Sequence, residues 1–227
     1  MLAIVAAGAG AYVLARETSL FAVRAIQVTG AGPEVGSHVQ SALAPLLGAS
    51  LVSLDRGEVR RRVLSLPDVA AVSVDRDFPH TLRLSVRPER PVAVARQGRL
   101  AWLVAADGRV VQELARPYPH LPRAWLPRVA QVSVGATLGG EPGAAIRAIA
   151  PLAALRFPAE VRSVAIDEGD LELRLSSGTI VRLGDSGDLR LKLAVAKRIL
   201  PLVPGAAYVD VSVPERAVAD SNPQVVG

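Results

Sequence analysis

The chain has 227 residues, of which 50% are hydrophobic and 21% are charged. This balance excludes a disordered or collagen-like chain, and the length is sufficient for two modest domains with cores of their own. The net charge of +5 is spread thinly along the chain, which does not favour a nucleic-acid-binding surface, and the absence of cysteine excludes disulfides and thiolate metal sites.

The first fifteen residues contain no charge and are followed by Arg16 and Glu17. As a helix, this run would extend about 22 Å, against roughly 30 Å of hydrocarbon in a bilayer. A signal peptide, a buried helix and a truncated transmembrane helix all remain open. The last accounts for both the short length and the missing basic flank. We therefore expect residues 1–20 to be a membrane anchor and juxtamembrane segment, with the rest of the chain outside the cytoplasm.

Residues 21–91 predict a compact α+β domain in the order strand, helix, helix, strand, strand. Near-alternate apolar residues predict a strand over Phe21–Thr29, and apolar residues at helical spacing predict a helix over Val35–Leu46 that Gly48 ends. Asp55 followed by Glu58 has the spacing of a capping box and predicts the start of a second helix.

Two further strands, Val69–Asp75 and Thr81–Arg87, are joined by a turn at 77–80 that contains Phe78 and Pro79. Proline fixes φ and removes an N–H that a tight hairpin would otherwise have to satisfy, and Phe78 is expected to anchor the turn. The sequence therefore predicts a hairpin at the end of this domain.

Four segments of this domain carry a family resemblance in the correct order. Residues 76–82 read Arg-Asp-Phe-Pro-His-Thr-Leu, residues 89–93 read Glu-Arg-Pro-Val-Ala, and the segments at 21–30 and 66–69 match as well. Together they resemble the POTRA domain of the bacterial cell division family FtsQ/DivIB. The residues of this structural motif are Arg76, Phe78, Pro79, Leu82, Glu89, Arg90 and Pro91.

Residues 92–214 predict a second, strand-rich domain with two helices, and residues 215–227 predict a C-terminal tail. In the middle of this domain, a proline-rich stretch at residues 117–127 leads to residues 129–134. The predicted strands are Val92–Arg96, Arg99–Ala105, Val110–Val111, Val161–Ile166, Leu171–Leu175, Thr179–Leu183 and Tyr208–Val213, and the predicted helices are Ala144–Leu155 and Leu189–Leu200. This order is similar to the β domain that follows POTRA in the same family, so the resemblance covers nearly the whole chain.

No catalytic or metal-binding constellation emerges from the sequence. His38, His80 and His120 lack metal-ligand spacing, and no serine has the context of an activated nucleophile. The acidic residues at 167–170 favour a solvated turn, and the arginines at 60–62 favour an exposed helix face. We therefore expect no enzyme activity, no cofactor, no metal and no small-molecule substrate.

Binding is the expected activity, and the last predicted strand is the expected place. A terminal strand that is unpaired on one side offers N–H and C=O groups that a partner strand can complete. The resemblance implies that FtsB, itself associated with FtsL, binds there, while the POTRA domain contributes to recruitment at the septum. The predicted partner-binding residues are Tyr208, Val209, Asp210, Val211, Ser212 and Val213.

The resemblance thus predicts a non-enzymatic division scaffold, single-pass in the cytoplasmic membrane, with the bulk of the chain outside. Two other classes remain open. A transport-type POTRA module would chaperone extended polypeptides, although such proteins usually continue into a membrane barrel. A cell-wall hydrolase would require a catalytic constellation.

Overall fold

The computed structural model describes residues 19–115, 121–155 and 157–221. They fall into two units that divide between Glu89 and Arg90. The boundary lies within two residues of the predicted one at Pro91.

The first unit has the predicted order of elements. After a 3-10 turn at Ser19–Phe21 come β1, α1, a second 3-10 turn, α2, β2 and β3. In chain order the bounds are β1 Ala25–Thr29, α1 Pro33–Leu43, the 3-10 turn Ala44–Leu46, α2 Arg56–Leu64, β2 Val69–Asp77 and β3 Thr81–Pro88. The strand order is β1-β3-β2, with β1 parallel and β2 antiparallel to β3. The α+β POTRA architecture is therefore confirmed.

Both helices of this unit cover one face of the three-stranded sheet. Leu82 and Leu84 of β3 are fully buried, and α1 and α2 bury a valine-rich stripe against them, whereas Arg83 and Ser85 on the other face are exposed. The buried helix residues are Val39, Leu43, Val59 and Val63. Asp55 caps α2 by accepting a hydrogen bond from the Gly57 N–H at 2.7 Å, as its place before the helix predicts.

The first strand is shorter than predicted. Phe21 lies in the 3-10 turn, and the N–H of Val23 donates to the carbonyl of Ala49 at 2.9 Å instead of pairing in the sheet. Regular pairing with β3 begins at Ala25, which is where the alternation of apolar residues slips. The sequence pattern marked this irregularity but not its structural form.

Most residues of the POTRA motif hold the first unit together. Arg76 donates to the carbonyl of Leu54, which ties β2 to the loop before α2. Phe78 precedes a cis proline, and the rings of Phe78 and Phe21 pack in a T-shaped arrangement with their centroids 5.8 Å apart. The N–H of Glu89 donates to the carbonyl of Asp68 at 2.9 Å. Arg90 and Pro91 belong instead to the second unit.

The second unit is built on a nine-stranded sheet in the order β12-β11-β10-β9-β8-β7-β4-β5-β6. The bounds are β4 Pro91–Gln97, β5 Leu100–Ala105, β6 Val110–Glu113, β7 Arg123–Trp125, β8 Val161–Asp167, β9 Asp170–Leu175, β10 Ile180–Gly184, β11 Tyr208–Asp210 and β12 Val218–Asp220. Among the described residues, three α-helices accompany it: α3 Gly140–Ile149, α4 Leu152–Leu155 and α5 Leu189–Ile199. The predicted helix over 144–155 is thus two helices, and α3 begins earlier than predicted.

One face of this sheet packs on α3 and α5, where Ile146, Ile149 and Leu193 are fully buried. On the opposite face, here called the outer face, the two ends differ. The β4–β6 end carries a small apolar cluster that includes Val94 and Leu103 and is packed against Leu114 and Leu121. The β9–β12 end carries charged side chains.

Two strands, β7 and β12, were not predicted. β7 lies between β4 and β8 and is parallel to both. β12 pairs antiparallel with β11, within the segment that the sequence predicts to be a tail. The prediction that Tyr208–Val213 is the open edge strand is therefore wrong, because Val218–Asp220 lies along its outer side.

Among the residues that the structure describes, no helix combines the length and apolar composition needed to cross a membrane. The predicted anchor at 1–20 lies outside the described residues except for Ser19 and Leu20.

Candidate functional site

The nine-stranded sheet has two edges, β6 and β12, and its own chain covers the start of the first. The N–H of Val110 donates to the carbonyl of Ala136 at 2.8 Å, and the carbonyl of Val110 accepts from the N–H of Gly135 at 2.8 Å. The N–H of Leu138 donates to the carbonyl of Gly108 at 2.9 Å. The segment 135–138 therefore satisfies main-chain groups that would otherwise be free to pair with another chain.

The β12 edge has a different environment. In the described part of the chain, no strand lies beyond β12. The carbonyl of Asp220 accepts from the N–H of Ala207 at 3.0 Å, so the main chain of Asp220 is turned toward β11. Because the N–H and C=O groups of successive residues in a strand alternate between its two sides, those of Ala219 point away from the sheet. This edge therefore presents an outward main-chain donor and acceptor.

Register places a row of polar side chains on the outer face beside this edge. Glu172 is paired with Arg182, Arg182 with Asp210, and Asp210 with Val218 on β12. A second row contains Arg174, Ile180, Tyr208 and Asp220. The outer face thus becomes charged where the sheet ends.

Arg182 is the centre of this charged region. Its guanidinium donates to the carboxylate of Asp170 through two nitrogens, one of them Nε at 2.8 Å, and Nη1 lies 3.9 Å from the Asp210 carboxylate. The hydrogen bond to Asp170 raises the pKa of Arg182, followed by a smaller effect of Tyr208. Arg182 therefore remains charged and holds together carboxylates from β9 and β11.

Tyr208 and Asp210 are also fixed by local contacts. The Tyr208 hydroxyl donates to Oδ2 of Asp210 at 3.3 Å, and Oδ1 of Asp210 accepts from the Ser212 N–H at 2.8 Å. Burial raises the pKa of the Tyr208 hydroxyl, so that it remains a neutral hydrogen-bond donor at physiological pH. These contacts orient the two side chains that lie nearest to β12 on the outer face.

Glu172 lies in the same row, but nearby positive charges do not fully offset the cost of burying its carboxylate. Burial is the largest cause of its raised pKa, and the nearby charge of Asp167 raises it further, against the opposing effects of Arg182 and Arg174. The carboxylate is therefore less favourable here than in water.

The loop before α5 is held against the end of β11. Gly184 has a φ of +66°, and a Cβ at this position would lie 2.7 Å from the Cβ of Ser212, so only glycine fits without displacement. Lys192 of α5 is only 4% exposed, and its ammonium donates to the carbonyl and the carboxylate of Asp185 at 3.0 and 2.6 Å. This hydrogen bond lowers the pKa of the Asp185 carboxyl.

The six predicted partner-binding residues have unequal access to a partner. Val209 and Val211 are fully buried among the core of the second unit, whereas Tyr208, Asp210 and Ser212 are half-buried. Val213 is 51% exposed and lies just past β11. Half-buried and buried residues thus alternate from Tyr208 to Ser212. The outward main-chain groups, however, belong to Ala219, which sequence reasoning missed because three residues of β12 give no periodicity.

The histidines and acidic residues considered above for metal binding or catalysis are not brought together in the described part of the chain. Nδ1 of His38 lies 2.6 Å from the carboxylate of Asp68 in the first unit, and His120 is outside the described residues. Within the described ranges, no group of three or more histidine, aspartate or glutamate side chains has the arrangement of a metal site. Asp170 at the predicted acidic turn is paired with Arg182.

Comparison with known proteins covers both units. The family described as "POTRA domain, FtsQ-type" matches residues 21–87, and the family described as "Cell division protein FtsQ/DivIB, C-terminal" matches residues 93–212. A "Cell division protein FtsQ" of Allochromatium vinosum is 31% identical over 195 residues, covering 81% of this chain and 71% of that protein. Proteins of the same name are 28% identical in Streptomyces venezuelae, over 86% of this chain and 72% of the relative, and in Streptomyces collinus, over 94% and 83%.

Proposed function

Since the chain belongs to the FtsQ/DivIB family of cell division proteins, we propose that it is a non-enzymatic scaffold that binds FtsB- and FtsL-type partners. Residues 1–20 would anchor it in the cytoplasmic membrane, with both described units outside the cytoplasm at the division septum. The observation that carries the binding site is the β12 edge, where Ala219 turns its N–H and C=O outward.

A partner segment would add a strand to β12 and extend the sheet by main-chain hydrogen bonds. The start of the opposite edge is closed by the chain itself at Val110, so pairing there would require displacement of the segment 135–138. The same type of interaction is therefore directed to β12.

Side chains beside the edge would supply specificity. Val218 on β12 is 58% exposed, and Val213 is also exposed where the chain turns between β11 and β12. On the outer face, Asp210 is paired with Val218, and Tyr208 is paired with Asp220. An extended partner segment with apolar residues at alternate positions, and a polar group facing Tyr208 and Asp210, fits this surface. Tyr208, Asp210 and Val213 thus keep the contact role proposed for 208–213, while Val209 and Val211 support the strand from within.

Replacing Ala219 with proline tests this site. Ala219→Pro removes the outward N–H while leaving the inward bond of Asp220 in place, and proline is tolerated on edge strands. We expect it to weaken binding of the extracytoplasmic segment of an FtsB-type partner by about tenfold or more, because a docked strand would lose a main-chain bond. Binding is measured by calorimetry with the full chain.

Ala219→Ser is the matched control, because it keeps the N–H and is expected to bind like the unchanged protein. Equal binding by the proline variant would exclude β12 as the docking strand. Equal binding of unrelated extended peptides would instead favour a transport-type POTRA module.

A further inference from the structure

Three large apolar side chains lie exposed at one end of the POTRA unit. Leu20 is 66% exposed, Leu47 is 51% exposed and Phe78 is 52% exposed. They belong to three different segments, namely the turn before β1, the loop after α1 and the turn between β2 and β3. We call this set the apolar tip.

Main-chain hydrogen bonds hold these three segments together. The carbonyl of Phe21 accepts from the N–H of Leu51 at 2.8 Å, and the carbonyl of Val23 accepts from the N–H of Gly48 at 2.9 Å. The N–H of Arg24 donates to the carbonyl of His80 at 2.9 Å. The three segments of the apolar tip are therefore fixed relative to one another by the fold, and the ring of Phe78 packs against that of Phe21.

The tip lies at the end of the sheet where β1 and β3 begin. These strands are parallel, and the chain leaves the unit after Pro88, at the far end of β3. Eight residues of strand separate the two ends by roughly 26 Å.

The charges around the tip suit an anionic lipid surface. Arg24 is exposed beside it, and a long basic side chain can reach headgroups while its methylenes stay in an apolar layer. The carboxylate of Asp77, next to Phe78, is neutralised by Arg83 at 2.6 Å. The tip thus combines apolar side chains with one exposed arginine.

The chain before the tip indicates what covers it. Residues 1–15 are apolar and uncharged, and only residues 16–18 separate them from Ser19. Four Cα–Cα steps from Ala15 to Ser19 span at most about 14 Å. Any surface in which the apolar run is embedded therefore lies within that distance of the turn that carries Leu20.

We propose that the apolar tip docks onto the lipid headgroup layer, with Leu20, Leu47 and Phe78 entering the boundary between headgroups and acyl chains. This inference rests on the membrane anchor proposed above for residues 1–20. Docking would fix the end of the POTRA unit at the bilayer surface and leave its far end directed away from the surface.

The absence of native cysteine allows a direct test, since one introduced cysteine is labelled uniquely. The full chain is reconstituted into vesicles of phosphatidylethanolamine and phosphatidylglycerol, with a fluorescent label at Leu20→Cys, Leu47→Cys or Phe78→Cys. Lipids that carry a nitroxide near the headgroup are then added, and quenching is measured. Leu100→Cys and Leu202→Cys, at exposed apolar positions of the second unit, are matched controls.

We expect quenching at the three tip positions to exceed that at the controls by about twofold or more, because a docked apolar side chain enters the boundary between headgroups and acyl chains, close to the nitroxide. Vesicle flotation separates the two proposals. A chain that floats but is quenched equally at all five positions overturns the tip proposal and leaves the anchor intact. A chain that does not float overturns both. A spectral shift without lipid quenching shows that protein, and not lipid, covers the tip.

Discussion

The two edges of the nine-stranded sheet end in strands of similar length but have opposite surroundings. Beside β6, the outer face is apolar and packed against Leu114 and Leu121, and the segment 135–138 bonds to Val110. Beside β12, the outer face carries the Arg182 cluster, and the main chain of Ala219 points outward. Because the chain itself covers the start of the β6 edge, the strand addition proposed above is directed to the β12 edge.

The largest expected loss of stability comes from displacing the segment 135–138, which covers the start of the β6 edge. In α3, a Cβ at Gly143 would lie 2.1 Å from the carbonyl oxygen of Leu138, so Gly143→Ala must displace the covering segment. We expect a loss of about 3 kcal/mol in the free energy of unfolding of the second unit and a rise in aggregation. Both tryptophans, Trp102 and Trp125, lie in this unit, so their fluorescence during urea unfolding reports on it.

Gly139→Ser is the control for this change. It lies at the N-cap of the same helix, where serine is favoured and a Cβ meets no atom within 4 Å. Its free energy of unfolding should stay within about 0.5 kcal/mol of the unchanged protein. If Gly143→Ala and Gly139→Ser are equally stable, the close approach of Gly143 to Leu138 does not hold the segment 135–138 on the β6 edge.

The next effect concerns the charged region beside β12. Arg182→Met leaves the carboxylates of Asp170 and Asp210 without their shared cation, and we expect a loss of about 1–2 kcal/mol, since the cluster is only partly buried. Arg174→Met, on the neighbouring strand and exposed, should cost less than about 0.5 kcal/mol. Tryptophan fluorescence in urea measures both. If the two variants unfold at the same urea concentration, the Arg182 cluster does not order this end of the sheet.

The smallest effect is a pH dependence at Glu172. Because its pKa is raised in the folded protein, the folded state binds the proton more tightly than the unfolded state does. The stability that this group contributes is present below the ordinary pKa of 4.5 and is lost as pH rises through the folded value. Glu172→Gln, which stays neutral, should therefore be relatively more stable at pH 7 than at pH 4, by no more than about 1 kcal/mol because of screening by water.

Urea unfolding of both proteins at the two pH values measures this difference. A Gln variant whose advantage is larger at pH 4 would reverse the sign and show that Arg182 outweighs burial at this position.

The sequence was sufficient to predict those elements that are long and whose contacts are local. Alternation in Leu171, Leu173 and Leu175 located β9 to within one residue, and Asp55 located the start of α2. The Phe-Pro turn and its flanking motif identified the POTRA unit and its family.

The elements that sequence reasoning missed are short and depend on distant partners. Arg123–Trp125 and Val218–Asp220 have three residues each, too few to show a period of two, and both are strands only because neighbouring strands provide their hydrogen bonds. Pro214 begins a 3-10 turn, after which the chain returns along β11 as β12. The sequence therefore predicts an open edge at Tyr208–Val213, whereas in the structure the next strand, β12, forms that edge.

The parallel pairing of β1 with β3 has a mechanical consequence. The chain enters the POTRA unit at the start of β1 and leaves it at the end of β3, so tension between a fixed N-terminus and the second unit pulls the two strands in opposite directions along their length. All the paired positions from Ala25–Thr81 to Thr29–Ser85 then bear the load together in shear, and cannot be separated one after another as in unzipping. With the membrane anchor proposed above, this joint would transmit force between the N-terminus and the second unit, and its resistance would depend on the rate of unfolding of this one sheet.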